Sequence, residues 1–170
     1  MGKLAFLFPG QGAQVVGMGK DFFDAYDLAK KRFAEADEAL GYSISKLCFE
    51  GPADQLQLTE HTQPAILTVA VIASELLRAE GIEPEIAAGH SLGEYAALVA
   101  AGVLSFQDAV LLVHKRGAYM QEAVPVGEGA MAAVIGLDDE TIVSACAEAS
   151  SVGAVQAVNF NCPGQTVIAG

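Results

Sequence analysis

Basic residues are scarce in this 170-residue chain. Nine lysines and arginines stand against 21 aspartates and glutamates, a formal net charge of -12, with a pI near 4.4. A duplex-binding surface needs a dense basic patch, and the one basic run, Lys30-Lys31-Arg32, is ringed by Asp27, Glu35 and Asp37. At helical spacing these charges pair with one another along a solvated face, which excludes nucleic acid as a partner. Cysteine is scarce as well. Cys48, Cys146 and Cys162 are odd in number, widely spaced and without a CxxC pair, so neither a disulfide framework nor a zinc site fits and reduced thiols do. No window approaches the roughly 18 unbroken apolar residues of a membrane-spanning helix. A secretory signal is not expected either, because the apolar run after Lys3 stops at Pro9. The cytoplasm is the expected compartment.

What the chain has is apolar mass: 52% hydrophobic residues and a mean hydropathy of +0.38, which exclude intrinsic disorder. The run Lys3 to Phe8, halted by Pro9-Gly10, reads as a strand buried on both faces. A Gly- and Gln-rich loop, Gly10-Gln11-Gly12-Ala13-Gln14, follows it. Helices are predicted over Asp21–Leu40, over Ile44–Phe49 and over Pro64–Glu80, the last with Thr62 as N-cap and Pro64 in its first turn. Ile86-Ala87-Ala88 reads as a second buried strand, leading through Gly89-His90-Ser91-Leu92-Gly93 into a small-residue helix that ends at Gly102. Ser105 caps a helix running to about Val124. Beyond Val126-Gly127-Glu128-Gly129, where we place a subdomain boundary, the pattern predicts strand (130–135), helix (138–149), strand (154–158) and strand (165–169). The fold class is α/β. Two parallel strands are a poor core for so many apolar helices, so the sequence reads as the front part of something longer.

Gly89-x-Ser91-x-Gly93 between a strand and a helix has the spacing of a nucleophile elbow. Such a turn lifts the serine hydroxyl clear of the backbone, and the helix N-terminus offers N–H groups to an oxyanion, starting with Leu92. The same spacing also suits a serine N-cap at a Gly-rich helix entry. None of the three histidines, His61, His90 and His114, stands out as the base. Arg116 shares a helix face with Ala109, Leu112, Val113 and Met120. Spacing alone favours a guanidinium that snorkels outward over one that meets an anion at the core's edge. The first loop fails as a dinucleotide fingerprint, because Gly10 and Gly12 are followed by Val15. It offers Gln11 on a turn at the C-terminal end of a strand.

Phe8-Pro9-Gly10-Gln11-Gly12-Ala13-Gln14 and Gly89-His90-Ser91-Leu92-Gly93-Glu94-Tyr95 resemble the malonyl-CoA:acyl carrier protein transacylases of fatty-acid synthesis, of the stand-alone bacterial type. So do Arg116-Gly117-x-x-Met120-Gln121, Gly129-Ala130-Met131-Ala132-Ala133 and Asn159-x-Asn161-x-Pro163-Gly164-Gln165, in the family's order. The resemblance implies an α/β-hydrolase-like large subdomain with a short parallel sheet over residues 1–126. It also implies the first part of a ferredoxin-like small subdomain over 127–170. It implies a ping-pong transfer in which Ser91 attacks the malonyl thioester of coenzyme A and acyl carrier protein then collects the acyl group. The Gln11 and Leu92 amides match the oxyanion hole, which makes Gln11→Ala a mild change. Arg116 matches the clamp on the malonyl carboxylate, Gln63 a residue supporting that arginine, and Asn159 one near the nucleophile. Malonyl-CoA is a substrate, and no metal or bound cofactor is implied. The family's histidine base lies in a part that this sequence does not contain. Truncation, proteolysis, a separate C-terminal fragment and a short protein are the competing explanations. Two other functions stay open: a serine esterase or thioesterase using the GxSxG elbow, and a catalytically silent fragment that needs its histidine-bearing half.

Overall fold

The N-terminal apolar run forms β1 (Ala5–Phe8), paired in parallel with β2 (Ile86–Gly89) so that Phe8 stands opposite Gly89. The computed structural model describes residues 2–125 and 127–170, and its contacts divide the chain into two units, residues 1–123 and 124–170. Our sequence boundary between residues 126 and 127 touches Val126, which lies outside the described residues. Contrary to the expectation of burial on both faces, β1 alternates. Phe6 and Phe8 are buried while Leu7 is 78% exposed, because the pleat turns successive side chains to opposite faces and the core packs against only one.

The helix expected over Asp21–Leu40 is two, α1 (Lys20–Ala25) and α2 (Asp27–Leu40). Tyr26 is extended between them; its N–H closes α1 on the Phe22 carbonyl, and its carbonyl accepts the Ala29 and Lys30 amides that open α2. The break folds Phe23 back onto Phe33 and Phe49 at ring-centroid distances of 6.0 and 5.1 Å. Two short helices follow, α3 (Ile44–Glu50), capped by the Ser43 hydroxyl, and α4 (Ala53–Gln57).

The long central helix, α5 (Thr59–Ala79), begins earlier than predicted. Thr62 is not its N-cap: its hydroxyl turns back onto the Leu56 carbonyl, and Pro64 sits inside the helix. A proline there supplies no N–H to the carbonyl four residues back, Glu60, which the helix leaves open. That carbonyl is 3.0 Å from His114 Nδ1 instead. Next come α6 (Gly93–Ala100) and α7 (Phe106–Ala123), the latter capped by Ser105 Oγ, which accepts from the Asp108 amide. Phe33, Ile44, Leu67, Ile72, Val110 and Val113, drawn from α2, α3, α5 and α7, are fully buried among these helices. Arg32 ties three of them. It grips Glu75 on α5 through two nitrogens at 2.8 and 2.6 Å, bonds Glu35, and lies 5.2 Å over the Phe106 ring. Burial pushes the Cys48 thiol up to about 12, with Asp37 adding to the shift.

The second unit is an antiparallel sheet in the order β3-β5-β4, built from β3 (Met131–Ile135), β4 (Gln156–Cys162) and β5 (Gln165–Ala169). Its helix, α8 (Asp139–Ala149), packs on β4 and β5. Strand β4 runs on to Cys162, past the predicted end at Val158, because Cys162 pairs with Gln165 across a two-residue turn in which Gly164 takes φ 78°. Asp138 caps α8, its carboxylate accepting the Thr141 amide at 2.8 Å, and that bond holds the carboxyl below its ordinary range. Among the described residues no helix is long and apolar enough to cross a membrane.

Candidate active site

The strand-to-helix turn after β2 is as tight as the sequence spacing suggests. A Cβ on Gly89 would stand 2.0 Å from the Gly93 carbonyl carbon, and one on Gly93 would stand 2.3 Å from the Phe8 carbonyl oxygen. Neither position admits a side chain, so the two strands and α6 meet backbone to backbone. Between them Ser91 takes φ 55°, the sole positive φ outside glycine among the described residues. For a serine this left-handed conformation is strained by about 1–2 kcal/mol, and it leaves the residue exposed at the turn. A helix-capping serine would take extended backbone with its oxygen bonded to a first-turn amide. Here the Ser91 hydroxyl is instead 3.1 Å from Arg116 Nη2, so the cap alternative gives way to an elbow. Leu92, fully buried, enters α6 directly behind it.

Arg116 does not snorkel. Its Nη1 donates to Gln63 Oε1 at 2.6 Å and its Nη2 to the Ser91 hydroxyl. The physical reason is Gln63, which is fully buried on α5 and presents an amide oxygen at the right height. Helix α7 comes close enough for this because of Gly117, where a Cβ would lie 2.6 Å from the Thr59 carbonyl oxygen. Gln63 Nε2 in turn donates to Thr59 Oγ1 at 3.1 Å and faces Met120 Sδ at 3.4 Å. Thr59 Oγ1 donates to Gln11 Oε1 at 2.7 Å. Four of the six residues singled out in the sequence, Gln11, Gln63, Ser91 and Arg116, are thus joined, with Leu92 adjoining Ser91. Asn159 belongs to the second unit, where it is exposed on β4 opposite Val167.

The histidines have other engagements. His61 Nδ1 is 2.9 Å from the Gln55 carbonyl oxygen, and the His61 and His114 rings flank Tyr42 at 5.4 and 5.8 Å. Burial raises the Tyr42 phenol above its ordinary value, and Glu60 adds to the shift. His90 lies against the first loop, its Nδ1 2.6 Å from where a Cβ of Gly10 would be. Sequence reasoning missed Thr59. The available signal was its place four residues before Gln63, one helical turn away on the same face, which was hidden by starting α5 too late.

Residues 5–170 match the acyl transferase domain. The chain belongs to that family. It is 54% identical over its full length to the malonyl CoA-acyl carrier protein transacylase of Bacillus subtilis strain 168 and to that of Escherichia coli K12, covering 54% and 55% of those proteins. Among solved structures it matches the acyl-carrier-protein S-malonyltransferase of Burkholderia pseudomallei 1710b with a TM-score of 0.91 at 54% identity, over 99% of this chain and 55% of that one. A type II PKS acyl-carrier protein in complex with its malonyl-transacylase matches with a TM-score of 0.92 at 48% identity, over the same shares. The chain therefore spans about half the length of the family members it matches, and its mixed α/β fold is theirs.

Proposed function

We propose that this chain carries the nucleophilic half of a transferase moving a malonyl group from coenzyme A to acyl carrier protein in fatty-acid biosynthesis. The observation that supports it most directly is the Arg116 guanidinium, anchored at one nitrogen by buried Gln63 and touching the Ser91 hydroxyl with another. An acyl group that ends in a carboxylate, once attached to Ser91, finds a rigid bidentate partner within its own length. Ser91 Oγ attacks the thioester carbonyl and the oxyanion that forms is held by the Leu92 and Gln11 amides. Collapse breaks the C–S bond and releases coenzyme A as its thiol. The carrier protein's pantetheine thiol then attacks the ester, restoring the Ser91 hydroxyl. The serine proton needs a base, which the family resemblance assigns to a histidine outside this sequence. The family resemblance assigns Asn159 to substrate binding.

The finer architecture belongs to the same proposal: a large α/β-hydrolase-like subdomain over 1–126 and the start of a ferredoxin-like one over 127–170. It is supported by the parallel β1–β2 pair beside the elbow and by the β3-β5-β4 order with one covering helix. The cytoplasmic setting rests on three unpaired cysteines. An esterase is disfavoured, because a neutral ester leaves the Arg116 charge without an anion. Intact mass after exposure to malonyl-CoA tests the reading. A malonyl adduct absent from Ser91→Ala supports it, and an adduct retained in that variant overturns the nucleophile. No adduct on the chain alone, with one appearing when a C-terminal piece is added, marks the chain as a silent half.

A further inference from the structure

We propose that Thr59 is a positioning residue that couples the Arg116 clamp to the Gln11 loop, so that the carboxylate site and the oxyanion site are set together. The inference rests on the function proposed above, but its core is hydrogen-bond bookkeeping. Arginine has donors only, so Gln63 must turn its oxygen to Arg116. Its NH2 group then faces Thr59, whose hydroxyl must accept there and spend its single proton on Gln11 Oε1. Every link donates in one direction, Arg116 to Gln63 to Thr59 to Gln11, and links aligned this way polarise one another. One charge on α7 thereby sets the orientation of two glutamine amides and of the loop that follows β1.

Thr59 suits this joint because its backbone is fixed without its hydroxyl. Its carbonyl abuts Gly117 on α7, and its neighbour Glu60 offers the carbonyl that Pro64 leaves open to His114 Nδ1. Exchange of the hydroxyl for a methyl group should therefore leave α5 in place and cut the chain of bonds at one atom. Gln11 then has a side-chain duty besides its backbone amide, and Gln11→Ala is no longer a mild change.

The test uses the 170-residue chain without substrate and follows the backbone and side-chain amide resonances of Gln11. Thr59→Val is expected to shift them and Thr59→Ser to restore them. Arg116→Lys is expected to move the Gln11 signals when Thr59 is present and to leave them unmoved in the Thr59→Val background. Equal movement in both backgrounds overturns the coupling. A second readout is the rate of malonyl adduct formation, in the form that shows an adduct. Thr59→Val should slow it about tenfold, the value of one lost bond, with Thr59→Ser near the parent rate. If no form yields an adduct at Ser91 while the resonances behave as stated, the transferase reading fails and the joint stands.

Discussion

Gly117 on α7 passes so close to Thr59 on α5 that a Cβ would sit 2.6 Å from its carbonyl oxygen and equally close to the Glu60 Cα. The obstacles are backbone atoms, which cannot swing aside. Gly117→Ala should therefore push the two helices apart, destabilising the unit by about 1–3 kcal/mol and lifting Arg116 from Gln63. Urea unfolding measures the first effect. The second would appear as a loss of malonyl binding larger than the loss of stability explains.

Arg116→Ala should cost most with malonyl groups and least with acetyl, since only the former brings a carboxylate to be left unpaired, a penalty of about 1–3 kcal/mol. Acylation of Ser91 from the two coenzyme A esters, followed by mass, gives the comparison. Equal losses would make Arg116 a packing residue.

The strain at Ser91 predicts a gain in stability where function is lost. Glycine accepts φ 55° without the clash that a Cβ brings, so Ser91→Gly should be more stable than Ser91→Ala by about 1 kcal/mol, and under the proposed function both should lack the adduct. Thermal midpoints of the two variants decide the matter.

The cysteines should separate by reactivity. Cys162 is exposed and Cys48 buried, so a thiol reagent at neutral pH should label Cys162 and spare Cys48. The Cys48 thiol, raised from its ordinary 9.0 to about 12, also makes the fold sensitive to alkali. A group whose pKa is higher in the folded state stabilises fully below its unfolded value and progressively less above it. Stability should therefore decline as the pH climbs from about 9 towards 12, and decline less in Cys48→Ala. Denaturant midpoints across that range measure it.

Much of the site is legible in the sequence where its geometry is local. The 89–93 spacing encodes the elbow because both glycines are needed within five residues for three backbones to meet. The hairpin turn at Pro163-Gly164 is equally local, yet the sequence reading ends β4 at Val158, short of the Cys162 that the turn pairs with Gln165. What spacing alone reads wrongly is Arg116, whose partners Ser91 and Gln63 are 25 and 53 residues away; only the family resemblance supplied its orientation. Spacing also places the start of α5 too late, because Pro64 is usually a first-turn residue, and the carbonyl it leaves open is met from α7 rather than from its own helix. The one-sided burial of β1 is a tertiary outcome that a continuous apolar run cannot disclose.

The elbow also acts as a filter on chemistry. Residues at ease in a left-handed backbone are glycine, asparagine and aspartate, and none of them carries a hydroxyl or thiol to acylate. Of the two remaining oxygen and sulfur nucleophiles of similar size, threonine adds a branch at the carbon already crowded by φ 55°, whereas cysteine adds none. With Ser91 as the proposed nucleophile, an exchange at position 91 is therefore open towards the thiol and closed towards the secondary alcohol. The shape of one turn narrows the reactions this scaffold can acquire before a substrate ever reaches it.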